Sequence, residues 1–130
     1  TPSIDAVKTA IKWTKGHSDY SLRILAVQPP ILASGFSEYV STQTVDEYFA
    51  EENKRIFGTV KPLLDEANID YQEVTMTGPV AQSIADYAKN NNIDHIIMGT
   101  RGLGSISGLL LGSVTTKVLT LVNIPVTLIK

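Results

Sequence analysis

The sequence predicts an α/β domain in which an open parallel sheet lies between two layers of helices. Short apolar runs, which are typical of buried strands, alternate along the chain with longer segments whose apolar residues have the spacing of one helix face. Strands that are separated by helices pair in parallel through right-handed crossovers, and this arrangement places helices on both faces of the sheet. No linker, repeat or low-complexity tract divides residues 1–130, so we expect a single domain.

The first half of the chain is expected to form a helix, a strand and a second helix. Residues 3–15 have helical apolar spacing, and the run "LRILAV" at 22–27, which two prolines follow, is typical of a buried strand. Residues 31–42 show no clear period and are expected to form a loop. A long helix is expected over 43–68, and Pro62 should kink or divide it.

The second half continues the alternation of strands and helices. The expected elements are a strand over 69–77, a helix over 80–91, a strand that ends at Met98, a helix over 113–122 and a final strand over 125–130. The alternation starts with a helix, although in such a fold a strand normally precedes the first helix. We therefore expect a first strand that is absent from this sequence.

Composition excludes several classes of function. The chain has a net charge of −2, which gives no basic field for nucleic acid or for an anionic membrane surface. It contains no cysteine, so disulfides, thiol catalysis and thiolate metal sites are excluded. No apolar run reaches the roughly 20 residues of a membrane helix, and no signal-peptide pattern occurs. We expect a cytoplasmic protein.

A glycine-rich segment follows the strand that ends at Met98. Five of the nine glycines fall between Gly99 and Gly112. In open parallel sheets, ligands bind beyond the carboxyl ends of the strands, where this segment begins. The next helix starts "SVTT", and no Asp or Glu occurs anywhere after Asp94. Such a helix start leaves backbone N–H groups for a phosphate that a ligand supplies.

A structural interpretation of the same segment stays open at this point. Glycine-rich loops also serve as plain turns, with Ser113 acting only as a helix cap. The P-loop motif needs a lysine before its hydroxyl residue, and "GLLLGS" has none. The dinucleotide motif is one residue too long at Gly102, Gly104 and Gly108, and no acidic ribose ligand follows it.

A third pattern fits in full. Gly99-x2-Gly102-x9-Gly112-Ser113 is the motif of nucleotide-binding members of the universal stress protein family, which "IIMGTRGLGSISGLLLGSVTTKVL" closely resembles. The resemblance is strong over 78–130 and looser before that. It implies a five-stranded parallel sheet in the order 3-2-1-4-5, a dimer and a site for ATP, with Mg²⁺ held through the phosphates.

The resemblance also implies roles for individual residues. The phosphate chain would lie along Gly99 and Gly102, with Arg101 as an additional partner, and Gly112 with Ser113 would hold phosphate oxygens. The nucleoside would lie near Met98 and Val114, and Val27 would flank adenine. The family opens with a strand whose Asp contacts the nucleotide. That Asp is absent here, and we hypothesise that the native protein carries this strand.

The final strand is expected to lie at an edge of the sheet. Residues 125–130 resemble the family's edge strand, which would pair with a second copy of the chain, although an ordinary edge strand protected by Lys130 is the alternative. Neither His17 nor His95 has neighbours spaced as a metal-ligand set, and no catalytic residues stand out. We expect an ATP-holding regulatory protein of the stress response with at most slow hydrolysis. The alternative is a dimeric interaction module that binds no nucleotide.

Overall fold

The computed structural model describes residues 2–17, 19–28, 42–100 and 112–130. Helices and strands alternate through these ranges, as the sequence predicts. The helices are α1 (Pro2–Thr14), α2 (Thr42–Glu66), α3 (Val80–Asn90) and α4 (Ser113–Leu121). The strands are β1 (Leu22–Gln28), β2 (Tyr71–Thr77), β3 (Ile96–Gly99) and β4 (Val126–Ile129). The loop that was expected over 31–42 lies outside the described residues, apart from Thr42, which begins α2.

The strands form two parallel pairs. β1 pairs with β2 in a register that sets Val27 opposite Met76, and β3 pairs with β4 with Met98 opposite Leu128. Among the described residues these pairs are two separate two-stranded sheets. The two pairings agree with the 3-2 and 4-5 parts of the predicted order, and the α/β fold class is confirmed.

The helices form layers on both faces of the strands. α1 contacts α2, β3 and β4, whereas α3 contacts α4, β1 and β2. Small side chains face inward on α1, where Ala6, Ala10 and Thr14 recur at helical spacing and are buried. The Thr14 hydroxyl donates to the Ala10 carbonyl at 2.7 Å, so this buried polar group is satisfied within the helix.

The long helix α2 is not divided at Pro62, which corrects one of the two expectations for that residue. A proline inside a helix removes one backbone hydrogen bond and costs about 3 kcal/mol or more. Val60 and Leu64 flank it and have no exposed surface. Each fully buried aliphatic side chain contributes about 1.5–3 kcal/mol, so their packing offsets the cost of the proline.

The C-terminal part of α2 is tied to the start of β2 by a polar cluster. Lys61 Nζ donates to the Tyr71 hydroxyl at 3.1 Å, and that hydroxyl donates to Asp65 Oδ1 at 2.9 Å. The hydrogen bond to Tyr71 and the nearby Asp65 carboxylate raise the pKa of Lys61 above its usual value. Lys61 Nζ also forms an ion pair with Asp65 Oδ2 at 3.6 Å. The Lys61 side chain is 60% exposed, so this ion pair adds little stability.

The turn after β2 contains a glycine in a backbone conformation that other residues rarely adopt. Gly78 has φ of +157°, and a Cβ added there would lie 2.8 Å from the Ser83 hydroxyl oxygen. Its N–H donates to the Gln28 carbonyl at 3.0 Å, which extends the β1–β2 pairing to the carboxyl ends of both strands. The predicted Gly78-Pro79 turn therefore brings the start of α3 directly against the sheet.

Candidate functional site

The carboxyl end of β3 is joined to the start of α4 by backbone hydrogen bonds. Thr100 donates its N–H to the Ile129 carbonyl at 2.9 Å, which continues the β3–β4 ladder one residue beyond the strand. The Thr100 carbonyl accepts the Gly112 N–H at 2.6 Å. The two ends of the glycine-rich segment are therefore closed onto each other, at the edge of the sheet where ligands bind in this fold class.

A threonine side chain holds the first turn of α4 at this position. The Thr115 hydroxyl lies 3.0 Å from the Gly99 carbonyl oxygen and 3.3 Å from that of Thr100. Thr115 is 2% exposed, so these hydrogen bonds are formed away from water. Its hydroxyl is used to position the helix and is not available to a ligand.

The amino end of α4 presents backbone donors that no other described residue uses. Gly112 is the N-cap residue and provides no side-chain cap, and the first turn of the helix has no acidic residue. The first helical hydrogen bond runs from the Thr116 N–H to the Gly112 carbonyl at 3.1 Å. Within the described part of the chain, the N–H groups of Ser113, Val114 and Thr115 have no acceptor. These groups carry the partial positive charge of the helix start.

A buried hydroxyl in the same region has no partner among the residues that the structure describes. Thr100 is 7% exposed, and its Oγ1 atom makes no hydrogen bond. An unpaired buried hydroxyl costs about 1–3 kcal/mol, so it is uncommon in a region that serves packing alone. The residues present therefore fit a polar ligand that would supply an acceptor or a donor at this point.

The structure brings together one part of the predicted site. Gly99, Gly112, Ser113 and Val114 lie around the end of β3 and the start of α4, and Met98 precedes them as a half-buried residue of β3. Ser113 is exposed and Val114 is half-buried. These positions agree with the order in which the motif places its residues.

The other predicted residues stand apart from this group. Val27 is half-buried near the carboxyl end of β1, which belongs to the other strand pair. Arg101 and Gly102 lie outside the described residues. The Gly112 N–H was expected to be free for phosphate, but it already donates to Thr100.

Two residues that sequence reasoning missed carry much of the local geometry. Thr100 and Thr115 lie next to motif positions without being part of the motif. No local signal marks Thr115, because its hydroxyl bonds to a carbonyl 16 residues earlier in the chain. Only tertiary contacts show that Thr115 uses its hydroxyl this way and that Thr100 leaves its own unpaired.

The described residues contain neither a cluster of metal-ligating side chains nor a helix that could span a membrane. No group of three or more His, Asp or Glu side chains is arranged to hold a metal ion in the described ranges. None of the helices that the structure describes is long and apolar enough to cross a membrane.

Comparisons with known proteins agree with the fold. The universal stress protein MJ0531 of Methanocaldococcus jannaschii is 28% identical over 130 residues, covering 98% of this chain and 75% of that protein. The solved structure of MJ0577 from the same organism superposes with a TM-score of 0.78 at 25% identity, covering 97% of this chain and 85% of that one. An Arabidopsis thaliana universal stress protein, solved with AMP bound, gives a TM-score of 0.62 at 22% identity, with 95% and 76% covered.

The family itself is shown by a match over the whole sequence. The profile of the universal stress protein family matches residues 1–130. This match covers the glycine motif, the alternating helices and strands and both strand pairs. The chain belongs to the universal stress protein family.

Proposed function

We propose that this chain is an adenine-nucleotide-binding regulatory protein of the stress response, with ATP as its ligand. The observation that carries the proposal is the arrangement at the start of α4. Among the described residues, three backbone N–H groups have no acceptor, the buried hydroxyl of Thr100 in the same region has no partner, and the first turn of the helix has no acidic side chain. A helix start of this kind binds phosphate through its N–H groups and its partial positive charge.

Different residues would contact different parts of the nucleotide. Ser113 and Val114 would donate N–H groups to phosphate oxygens, and Gly99 and Gly112 would let the phosphates approach the backbone closely. Met98 would contact the nucleoside, and Val27 would flank the base from the end of β1. Arg101 and Gly102 complete the proposed phosphate path. Mg²⁺ would be held through the nucleotide's own phosphates.

Family membership supports the nucleotide class. The Arabidopsis relative was solved with AMP bound. The ligand is proposed to act by occupancy, since the described residues present phosphate donors without a catalytic acid, base or nucleophile beside them. Slow hydrolysis is the most catalysis we propose. A cytoplasmic location belongs to the proposal, because ATP is made and used inside cells.

The second candidate is a dimeric interaction module that binds no nucleotide. One observation favours it: the Gly112 N–H is already taken by the Thr100 carbonyl at 2.6 Å, so the segment is partly closed by the protein itself. In both candidates we propose a homodimer through residues 125–130. The N–H groups of Val126 and Leu128 point away from β3 in the parallel ladder, so they are available to a second copy.

Thermal unfolding with and without saturating Mg-ATP separates the two candidates. A ligand at 100 times its dissociation constant stabilises a protein by about 2.7 kcal/mol, which corresponds to a rise of several degrees in melting temperature. Inorganic tripolyphosphate with Mg²⁺ is the control that isolates the phosphate half of the site. An unchanged melting temperature in saturating ATP would leave only the interaction module.

A further inference from the structure

The face of β2 that lies under α2 is polar. Tyr71, Glu73 and Thr75 alternate along β2 and therefore share one face of the strand. The Tyr71 hydroxyl bonds to Lys61 and Asp65 of α2, so this face is turned towards that helix. Glu73 and Thr75 are nevertheless exposed. A strand face that packs against a helix is normally apolar and buried, so α2 does not pack closely against this part of β2.

A cavity of about 460 Å³ lies between α2 and this strand face and opens to solvent. Its volume is within the range of about 300–1,000 Å³ that is typical of ligand pockets. One wall is formed by residues at helical spacing on one face of α2, among them Lys54, Phe57, Gly58 and Lys61. The strand wall includes Glu73 and Thr75.

The two walls carry groups of opposite charge. Lys54 lies on the α2 wall and Glu73 on the strand wall. Lys61 forms an ion pair with Asp65 and donates to the Tyr71 hydroxyl, so its charge is already balanced. Neither Lys54 nor Glu73 takes part in an ion pair in the part of the chain that the structure describes. One ammonium group and one carboxylate are therefore available to a molecule in the cavity.

The α2 wall also offers apolar surface and open space. Phe57 is half-buried in this wall. At the next residue, Gly58, a Cβ would meet no atom of the described residues within 4 Å. The Phe57 ring and the open space at Gly58 can therefore receive an apolar group.

We propose that this cavity binds a free amino acid with an apolar side chain. The ligand's carboxylate pairs with Lys54, its ammonium group pairs with Glu73, and its side chain contacts Phe57. An apolar amino acid is the simplest compound that carries all three groups, and a compound with one charge would leave Lys54 or Glu73 without a partner. The cavity shares no residue with the proposed nucleotide site, so this inference does not depend on the proposed function.

The test compares three compounds of similar shape and uses the protein without nucleotide. Leucine carries both charges, isocaproate lacks the ammonium group, and isoamylamine lacks the carboxylate. Titrations that are followed by amide chemical shifts measure the affinity of each compound and locate its site. We expect saturable leucine binding with shifts at Gly58 and Thr75, and roughly fivefold or weaker affinity for each compound with a single charge. No saturable leucine binding, or equal affinity for leucine and either of the other compounds, would overturn the proposal.

Two variants that each remove one charge test the assigned contacts. Glu73→Gln should weaken leucine binding roughly fivefold without weakening isocaproate binding, because isocaproate has no ammonium group to pair with Glu73. Lys54→Gln should weaken leucine binding to a similar extent without weakening isoamylamine binding. Glu66→Gln and Lys89→Gln are matched controls, since they remove the same charges at exposed positions outside the cavity. Losses of the same size in these controls would refute the assigned contacts.

A larger side chain at Gly58 tests the cavity itself. Gly58→Leu would place its side chain in the open space beside Phe57, and removing a glycine from the interior of a helix favours folding. We expect at least about tenfold weaker leucine binding together with an unchanged or higher melting temperature. Thr59→Leu, at an exposed neighbouring position outside the cavity, is the control and should bind leucine as the unchanged chain does. Undiminished leucine binding by a folded Gly58→Leu variant would rule out this site.

Discussion

Replacing Gly112 by aspartate should move stability and ATP binding in opposite directions. Gly112 is the N-cap of α4 with φ of −75° and ψ of 164°, an extended conformation that any residue adopts, so the substitution introduces no backbone strain. An aspartate there would accept hydrogen bonds from the open N–H groups of the first turn. The same carboxylate would occupy the proposed phosphate position and repel the phosphates.

The size of the stability change follows from the helix start. Aspartate exceeds glycine as an N-cap by a few tenths of a kcal/mol, and a negative charge at a helix start adds about 0.3–1 kcal/mol. Together these contributions give about 0.5–1.5 kcal/mol, or roughly 2–7 °C in melting temperature for a domain of this size. We expect Gly112→Asp to gain this stability in urea and thermal unfolding and to lose at least about tenfold in Mg-ATP affinity by calorimetry.

Gly112→Asn is the matched control. Asparagine caps a helix as well as aspartate does but carries no charge, so it should gain less stability and lose less ATP affinity. The reasoning fails if Gly112→Asp binds Mg-ATP within about twofold of the unchanged chain. It fails as well if the aspartate adds no stability, because the N–H groups would then already be engaged.

Three further predictions, one of them with a control variant, concern the site and the core. Thr100→Val should leave the ligand-free protein as stable as before, or up to about 1 kcal/mol more stable, while weakening ATP binding; a marked loss of stability would mean that this hydroxyl has a partner. Thr115→Val should cost about 1–2 kcal/mol in urea unfolding, whereas Thr116→Val, at an exposed position, should cost under about 0.5 kcal/mol; equal costs would contradict the anchoring role of Thr115. Leu64→Ala should cost about 2–5 kcal/mol, and a cost near zero would contradict its complete burial.

Most of the fold could be predicted because its elements differ in local pattern. β1 and β3 are continuous apolar runs, which are typical of buried strands. In α2 and α3 the apolar residues have helical spacing, because one face of each helix is buried. Two outcomes were open at Pro62, a kink or a division, and α2 is not divided there. The local cost of this proline argues for a break in the helix, and only the burial of Val60 and Leu64 around it decides that α2 continues.

Less of the candidate site could be predicted, because hydrogen-bond partners are a tertiary property. The motif placed Gly99, Gly112, Ser113 and Val114 at one edge of the sheet. It could not show that the Gly112 N–H donates to Thr100, because that contact closes a loop of more than ten residues.

The alternation of helices and strands and the lack of acidic residues after Asp94 follow from the amino-acid sequence, as does the sheet edge at which we propose that a ligand binds. These properties depend on neighbouring residues or on composition, so the amino-acid sequence is enough to predict them. Only tertiary contacts show which polar groups lack a partner among the described residues: the first-turn amides of α4 and the Thr100 hydroxyl. The hydrogen-bond partner of a polar group depends on which distant segments of the chain come into contact in the fold. The local sequence pattern does not specify those contacts.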